Sequence, residues 1–453
     1  SNHLKIMKMK TSITFLTLAL SIFSFQLLNA QSWEEQAIGV LPVNYGVFDI
    51  SVVDENIVWA VAFDQTIGSA VPLNHITKVI KTVDGGLTWE SFDIEEAGGR
   101  ISFDIEAFDS NTAFITTQDY NNGSGRGVFK TEDGGDTWVE KFNNIAAGVW
   151  IRFFNEQDGV IINRGSMATT QDGGESWQTV PFSNIPFFQG DEFTLLTSGN
   201  NSCQVTGNHI WFGTNKGRVY RSKDKGFTWD AFNTSLGSNA IILSVAFRDS
   251  LNGIALDGNT SFASFAKTTN GGESWTDIAP SLGKSIANVA HVPATDSVLI
   301  GTSPTLIPAN NGVSVYSTNF GKNWQTISTG IPFGGTQFIS PNIGWTSRAR
   351  ITSSNQPAML KWQGDIFVNS TDVETQNEVE VFPNPSADYI IVNAPKALKA
   401  YRLSTMSGKV VQSNQLNFKE ARIDFQYLGL GTYVLEIIFE DDSRLSKKVF
   451  KVN

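Results

Sequence analysis

One eight-residue pattern occurs six times in this chain: Ser or Thr, Asp or Asn two positions later, Gly after two more, and Trp at the eighth position. We call these six segments turn repeats, and they occupy residues 82–89, 131–138, 170–177, 222–229, 268–275 and 317–324. Their Asp or Asn positions are separated by 49, 39, 52, 46 and 49 residues. Such a period is typical of one blade of a β-propeller or one unit of another stacked array.

The residue types of a turn repeat predict a hairpin corner. Asp or Asn can accept hydrogen bonds from nearby backbone N–H groups, and Gly adopts the positive φ that such corners need. The Trp supplies a large side chain to bury beside the turn. We therefore assign a structural role to Asp84, Trp89, Asp133, Trp138, Asp172, Trp177, Asp224, Trp229, Asn270, Trp275, Asn319 and Trp324. Catalysis or metal binding by these residues is disfavoured, because side chains one blade apart do not converge.

The turn repeats resemble the Asp-box of the BNR-repeat propellers, a superfamily that includes sialidases, sortilin-type receptors, xyloglucanases and photosystem II assembly-factor-like proteins. The resemblance implies an all-β propeller in which each Asp-box joins the third and fourth strands of a blade, away from the ligand face. Sialidases of this superfamily share an Arg-Ile-Pro motif, and that motif is absent here. The xyloglucanases use two propellers, whereas this chain has room for one.

The segments between the turn repeats predict seven blades. Segments such as Val47–Phe63 and Ile101–Thr117 contain two apolar runs around a polar turn, which favours a hairpin. After the sixth repeat, residues 336–347 and 357–362 supply three strands of a further blade without a turn repeat. Residues 32–38 resemble the strands that follow the repeats, so we expect the N-terminal segment to close the ring. The propeller is predicted to span residues 31–366.

The N-terminal segment 1–30 is predicted to be a signal peptide. Lys8 and Lys10 precede an apolar run from Ile13 to Leu28, and Leu-Asn-Ala precedes Gln31. Residues 1–6 come before a plausible start Met and are interpreted as an upstream extension. A membrane anchor is the alternative, but polar residues interrupt the run and no stop-transfer charges follow it. We therefore expect no transmembrane anchor.

Charge and cysteine content exclude several classes of protein. The formal net charge is −11, and residues 1–30 contain Lys but no Asp or Glu, so the remaining chain is more acidic still. This charge disfavours nucleic acid and anionic membranes as partners. A single cysteine, Cys203, excludes an internal disulfide framework and a cysteine-based metal site. We expect no cofactor, no metal and a monomeric propeller.

The composition changes after a polar segment, 367–378, which is predicted to be a linker. Residues 379–453 contain no Trp and predict a small β-sandwich. They resemble the C-terminal sorting domain of type IX secretion, the Por system of the Bacteroidota. The matching positions are Pro383, Asn384, Pro385, Gly408, Gly431, Tyr433, Lys447 and Lys448. The resemblance implies Sec export, passage through the type IX translocon as partner, and release or attachment at the cell surface. An ordinary β-sandwich module is the alternative.

Two groups of residues are candidates for ligand binding, on the face opposite the turn repeats. Tyr120 and Arg126 lie in a long predicted loop, and an aromatic ring beside a guanidinium suits sugar or peptide binding. The second group is predicted on the innermost strands of the first three blades: Asp49, Asp104, Glu106, Trp150 and Arg152. Each group has an alternative interpretation. Tyr120 and Arg126 could belong to a solvated loop without a ligand, and the inner-strand residues could be polar residues that line a hydrated channel.

Two classes of function remain at this stage. The first is a secreted or cell-surface binding propeller that recognises a glycan, a peptide or matrix material. The second is a secreted glycoside hydrolase or lyase with two carboxylates at the channel mouth. The common hydrolase, phosphate-loop, zinc-protease and dinucleotide motifs are missing from the sequence. A binding protein without catalytic residues is therefore favoured.

Overall fold

The computed structural model describes the greater part of the 453-residue chain. The described ranges are 32–65, 77–118, 127–143, 149–163, 166–194, 202–258, 263–279, 282, 284–304, 312–364, 379–405, 409–440 and 444–452. Within these ranges the chain forms β-strands and two short 3-10 turns, Glu95–Ala97 and Phe182–Asn184, without an α-helix. The predicted signal peptide and the predicted linker lie outside the described residues.

Seven four-stranded antiparallel sheets form the blades of a propeller. The first strands of neighbouring blades contact one another around a closed ring. The strands, given blade by blade and from the first strand outward, are β2 (Tyr45–Val52), β3 (Val58–Asp64), β4 (Lys78–Thr82) and β5 (Glu90–Asp93); β6 (Ile101–Ala107), β7 (Ala113–Gln118), β8 (Gly127–Thr131) and β9 (Val139–Phe142); β10 (Val149–Phe153), β11 (Gly159–Asn163), β12 (Met167–Thr170) and β13 (Gln178–Thr179); β14 (Cys203–Thr206), β15 (His209–Gly213), β16 (Arg218–Ser222) and β17 (Asp230–Asn233); β18 (Ile242–Phe247), β19 (Gly253–Asp257), β20 (Ser264–Thr268) and β21 (Thr276–Ile278); β22 (Asn288–His291), β23 (Leu299–Ser303), β24 (Val313–Ser317) and β25 (Gln325–Thr329); and β26 (Phe333–Ser340), β27 (Ile343–Arg348), β28 (Pro357–Gln363) and β1 (Ser32–Ile38).

The seventh blade is completed by the N-terminal strand, as the sequence predicted. β1 pairs antiparallel with β28, with Trp33 opposite Trp362. The Trp33 indole packs edge-on against Trp362 and Phe338, and its Nε1 donates to Ser314 Oγ of the sixth blade at 3.0 Å. The closing strand is thus held by backbone pairing and by aromatic burial, and the ring leaves no unpaired edge at this blade.

Each turn repeat forms the same hydrogen-bonded corner between the third and fourth strands of its blade. In the second repeat, Thr131 Oγ1 donates to Asp133 Oδ1 at 2.8 Å and accepts from Gly135 N at 3.0 Å. Asp133 Oδ1 accepts from Thr137 N at 3.0 Å. The Thr137 hydroxyl and amide hydrogen bonds hold the pKa of Asp133 at about 2. In the fifth repeat Asn270 replaces the acid, and its amide oxygen accepts from Ser274 N at 3.0 Å in the same way.

The glycine at the fifth position of a turn repeat docks the corner on the preceding blade in the first, third and fourth repeats. Gly86 has φ +95°, and a Cβ there would lie 2.6 Å from the Trp345 ring of the seventh blade. Gly174, at φ +79°, would likewise meet Phe114 of the second blade at 2.6 Å. Both the positive φ and the close approach require glycine. The corners therefore set the packing between blades as well as the turn within one blade.

A cation placed just before the turn repeat adds a second link between blades. Lys81 Nζ donates to Gly134 O of the second repeat at 2.7 Å, and Lys361 Nζ donates to Gly85 O of the first at 2.7 Å. Arg221 Nη1 donates to Gly271 O of the fifth repeat at 3.0 Å. Lys130 Nζ instead binds the Glu175 carboxylate of the third repeat at 2.7 Å. We call these four side chains the latch cations.

The C-terminal region 379–452 forms one curled five-stranded sheet rather than two separate sheets of a sandwich. Its strands are β29 (Glu380–Phe382), β30 (Tyr389–Thr405), β31 (Val410–Asp424), β32 (Gly431–Phe439) and β33 (Arg444–Lys451). Register shifts between Asn393 and Leu398 divide β30, whose first half pairs with β29 and whose second half pairs with β32. The curl encloses a separate apolar core that includes Ile390, Leu403 and Leu435. A long bent strand thus replaces the sheet-to-sheet connection that the sequence suggested.

The corner geometry predicts how substitutions of Asp133 rank. We expect Asp133→Ala to lower the melting temperature, because Thr137 N and the Thr137 hydroxyl lose their acceptor. Asp133→Asn should be much milder, since Asn270 makes the equivalent bonds. Thermal unfolding at pH 7 measures both.

The control is Asp136→Ala, which removes an exposed carboxylate from the same turn and should leave the melting temperature unchanged. Equal losses for Asp133→Ala and Asp136→Ala would contradict the role of the corner hydrogen bonds.

Candidate functional site

The five inner-strand candidates lie at the junctions of the first three blades. Asp49 is on β2, Asp104 and Glu106 are on β6, and Trp150 and Arg152 are on β10. Register shifts interrupt the pairing just before Asp49 and just before Asp104, where the first strand carries one extra residue. Such bulges redirect side chains. Asp49, Asp104 and Trp150 are fully buried, and Arg152 is 6% exposed.

Asp104 and Arg152 form a buried ion pair across the junction of the second and third blades. Arg152 Nη1 lies 2.8 Å from Asp104 Oδ1 and 2.7 Å from Oδ2, and Ile151 N donates to Oδ2 at 2.6 Å. Burial alone would lower the pKa of Arg152, but the carboxylates of Asp104 and Glu106 outweigh it and raise that pKa. Both oxygens of Asp104 are therefore occupied by protein groups.

Asp49 occupies the corresponding position one blade earlier. Its Oδ2 accepts from Ile105 N of the second blade at 3.3 Å, and within the described residues its buried Oδ1 has no hydrogen-bond partner. Burial raises the pKa of Asp49 well above its usual value, and the neighbouring Asp104 carboxylate raises it further. A protonated Asp49 donates to Asp104, which satisfies the otherwise unpaired oxygen.

Glu106 is the one member of this cluster with an accessible side chain. It is 25% exposed, and its nearest carboxylate oxygen lies 3.8 Å from Arg152 Nη1. Its position deep in the ring raises its pKa to about 7, against the opposing effect of Arg152. A carboxyl group with this pKa is chemically suited to proton transfer near neutral pH. General acid/base catalysis on a substrate needs a second accessible carboxylate. Asp104 does not meet this requirement, because it is buried.

Hydrogen bonds of the same type run from blade to blade around the ring. Ser244 Oγ accepts from Val289 N at 3.1 Å between the fifth and sixth blades. Gln337 Oε1 accepts from Val52 N at 2.9 Å between the seventh and first blades. Asp49 and Asp104 therefore make the bond that a neutral side chain makes at other junctions. The alternative prediction was that water in a central channel hydrogen-bonds these two carboxyl groups. In the described part of the ring, protein groups hydrogen-bond them instead.

The remaining sequence candidates fall elsewhere. Tyr120 and Arg126 lie outside the described residues, as does Gly408 of the tail motif. Trp150 is fully buried and contributes its ring to the Arg152 guanidinium, 5.7 Å from the ring centroid. Cys203 is buried, and burial raises the pKa of its thiol to about 12, which leaves it unreactive. The described residues contain no group of three or more His, Cys, Asp or Glu side chains that could hold a metal ion.

The tail motif residues hold the last strand in place. Asn384 Nδ2 donates to Lys448 O at 2.9 Å, and Asn384 Oδ1 accepts from Phe450 N at 2.9 Å. Lys447 Nζ donates to Val379 O at 2.6 Å, while the Lys448 side chain is exposed. Tyr433 donates its hydroxyl to Gly429 O at 2.8 Å, next to Gly431 at φ +148°. The Pro383–Pro385 loop and the last strand therefore form one unit.

Comparison with known proteins identifies both parts of the chain. Residues 380–452 match the family described as secretion system C-terminal sorting domain. Residues 99–236 match the family described as photosynthesis system II assembly factor YCF48. The structure is a seven-bladed β-propeller in which residues 99–236 match a BNR-type family, followed by a region that matches a secretion sorting domain.

The propeller is similar to a curated protein and to propellers of known structure. A photosystem II assembly lipoprotein Ycf48 from Synechococcus sp. (strain CC9902) is 25% identical over 149 residues, which span 32% of this chain and 39% of that relative. A structure of YCF48 bound to D1 peptide has a TM-score of 0.50 at 16% identity, covering 74% of this chain and 96% of that chain. YCF48 from Cyanidioschyzon merolae has a TM-score of 0.51 at 16% identity, covering 73% and 98%. At these identities the likeness shows the fold alone.

Two sets of buried charges in the propeller were missed from the sequence. The latch cations were recognisable, since three of the four directly precede the first residue of a turn repeat. The other set, Arg218 and Glu192, has no recognisable sequence pattern. Arg218 Nη1 donates to the fully buried Glu192 at 2.7 Å, and Thr214 Oγ1 donates to the same carboxylate at 2.7 Å. Glu192 lies between β13 and β14, in a segment that has no counterpart in the other blades.

The buried Asp49 carboxyl group predicts an unusual pH dependence of stability. The pKa of Asp49 is raised on folding, so between its unfolded value near 3.8 and its folded value the native state binds more protons than the unfolded state. The stability that Asp49 contributes is therefore complete at low pH and is lost as pH rises. Asp49→Asn should raise the free energy of unfolding at pH 8 by about 1 kcal/mol and leave it unchanged near pH 4.

Urea unfolding from pH 4 to pH 8 measures this difference, with Glu55→Gln, an exposed change in the next turn, as the control. A loss of stability for Asp49→Asn at pH 8 would show that the native carboxyl is ionised.

Proposed function

We propose that this protein is an exported binding propeller that is delivered by type IX secretion and recognises an extracellular peptide or glycan. The observation that carries the proposal is the sorting domain at residues 380–452, joined to a ring whose inner carboxylates are used between blades. Binding then falls to the loops that enter each blade and to those between its second and third strands. Tyr120 and Arg126 belong to one of these loops.

A peptide ligand is compatible with a propeller of this fold. One relative of similar fold is described in complex with a peptide, YCF48 with D1 peptide. The photosystem partner is not carried over, because this chain bears a secretion sorting domain. A ligand met outside the cell, such as a matrix polypeptide or a surface glycan, fits the export route better.

The alternative of a glycoside hydrolase or lyase finds less support. Glu106, with a pKa of about 7, is suited to act as a general acid. The partner it would need, Asp104, is fully buried and accepts from Arg152 and Ile151. We therefore propose that these carboxyl groups stabilise the ring.

The proposed route begins with a Sec signal peptide at residues 1–30 and ends at the cell surface or in the medium. The type IX translocon is the proposed partner of the sorting domain. Among the described residues, there is no helix of the length and apolarity that a membrane crossing requires. The formal charge of −11 disfavours nucleic acid as the ligand.

The export proposal predicts the location of a truncated protein. In a bacterium with type IX secretion, deletion of residues 379–453 should leave a folded propeller in the periplasm, because the sorting domain and the ring have separate apolar cores. Immunoblots of periplasm, cell surface and medium measure the distribution. A fluorescent protein fused to residues 379–453 is the matched test of sufficiency, and the truncated propeller in the medium at normal levels would refute the export proposal.

The binding proposal predicts recognition without turnover. We expect the full-length protein to bind members of a glycan or peptide array and to release no reducing ends from the same glycans. Tyr120→Ala and Arg126→Ala should each weaken binding about tenfold, as expected for an aromatic or arginine contact. Tyr427→Ala, which removes an exposed aromatic ring from the tail, is the control. Release of reducing ends that disappears in Glu106→Gln would establish the hydrolase instead.

A further inference from the structure

Between the fifth and sixth blades a cation occupies the position of the latch cations without making their link. In four blades a cation pairs across the sheet with an aromatic residue of the second strand: Lys81 with Trp59, Lys130 with Phe114, Arg221 with Trp211 and Lys361 with Trp345. In the fifth blade the equivalent Lys267 pairs with Ile254. Lys267 is exposed, and its ammonium group makes no hydrogen bond or ion pair within the described residues. The cation is present here without the link.

The next turn repeat explains why the link is missing. Its third and fourth positions are Asn319 and Phe320, where four other repeats have Gly after the Asp or Asn. Phe320 keeps the positive φ of those glycines, +55°, which is strained for a residue with a Cβ. Its ring is partly buried against the core between the fifth and sixth blades. A bulky side chain thus stands at the position whose glycine carbonyl accepts the latch cation at three other junctions.

A pocket of about 560 Å³ lies at this same junction, on the side of the ring that carries the turn repeats. Lys267, Ile278 and Phe320 form part of its lining, together with Lys322 and Arg248. This volume is within the range of small-ligand sites.

The charges of the pocket favour an anion. Lys267, Lys322 and Arg248 supply three cations, against the carboxylates of Asp277 and Asp296, in a chain whose formal net charge is −11. Arg248 is fixed, since its Nε donates to Asp249 at 2.9 Å and its Nη1 donates to Asp296 O at 3.0 Å. Like Lys267, the Lys322 ammonium makes no hydrogen bond or ion pair within the described residues. The pocket lining therefore combines two ammonium groups without a hydrogen bond or ion pair, those of Lys267 and Lys322, with the apolar side chains of Phe320 and Ile278.

We propose that the pocket between the fifth and sixth blades is a second binding site, for a carboxylate-bearing peptide segment with an apolar side chain. Lys267 and Lys322 bind the carboxylate, and Phe320 with Ile278 receives the apolar side chain. Phe320 forms the wall of the site. The site is separate from the loops proposed above for the main ligand.

The test uses full-length protein and two probes, N-acetyl-leucyl-aspartate and the neutral N-acetyl-leucyl-asparagine amide, with binding measured by calorimetry. The acidic dipeptide should bind, and the amide should bind at least about tenfold more weakly, the difference expected for a lost charge-assisted hydrogen bond. The double variant Lys267→Gln/Lys322→Gln should weaken binding of the acidic probe by a similar factor. Lys216→Gln, which removes a partly exposed cation outside the pocket lining, is the control and should change nothing.

A third variant separates loss of the site from loss of the fold. Phe320→Gly restores the residue that four other turn repeats have and removes the positive-φ strain, so the protein should still unfold cooperatively. Binding of the acidic probe should be lost. Equal affinity for the two probes, no binding of either, or unchanged binding in the lysine or Phe320 variants would each overturn the proposal. Tyr120→Ala and Arg126→Ala should leave this binding intact, so failure of the main-ligand proposal would not affect the result.

Discussion

The structure depends on the contact between the second glycine of a turn repeat and the preceding blade. At Gly86 and Gly174 the backbone approaches an aromatic ring so closely that a Cβ would lie 2.6 Å from it. The same glycines have positive φ, which the Asp and Thr hydrogen bonds of the corner hold in place. One short segment thus determines both the conformation of the turn in its own blade and the distance to the preceding blade. Repeated around the ring, this contact leaves little freedom in how the blades assemble.

Most of the fold was predictable because its determinants are local in sequence. The corners follow from residues within eight positions, and the blade number follows from their spacing. Closure by β1 was predictable because residues 32–38 resemble the strands after the turn repeats. The tail was predicted as a sandwich, and its single curled sheet was missed because the bend lies inside one strand, β30. The pattern of apolar residues does not distinguish a bent strand from two strands.

The state of the inner-strand carboxyl groups was not predictable in the same way. Asp104 and Arg152 are 48 positions apart, and their pairing depends on which side of the first strand each side chain faces. A bulge before Asp104 decides that orientation, and alternation of polar and apolar residues does not reveal a bulge. The residue types pointed to the inner strands of the first three blades. Predicting how deeply these side chains are buried, and which groups they contact, would have required knowledge of the register between blades.

The buried carboxyl groups of the ring restrict where this protein can recognise anything. A side chain that accepts a backbone N–H from the next blade is lost to a ligand, and Asp49 and Asp104 are used in this way. Neutral residues such as Ser244 and Gln337 do the same at other junctions, so the requirement is for an acceptor and not for charge. The ring is thereby stabilised from inside by hydrogen bonds and from outside by the corners. Chemistry specific to this protein then belongs where the repeated contacts are absent or altered: in the loops opposite the corners, and at Phe320, which stands where four other turn repeats have glycine.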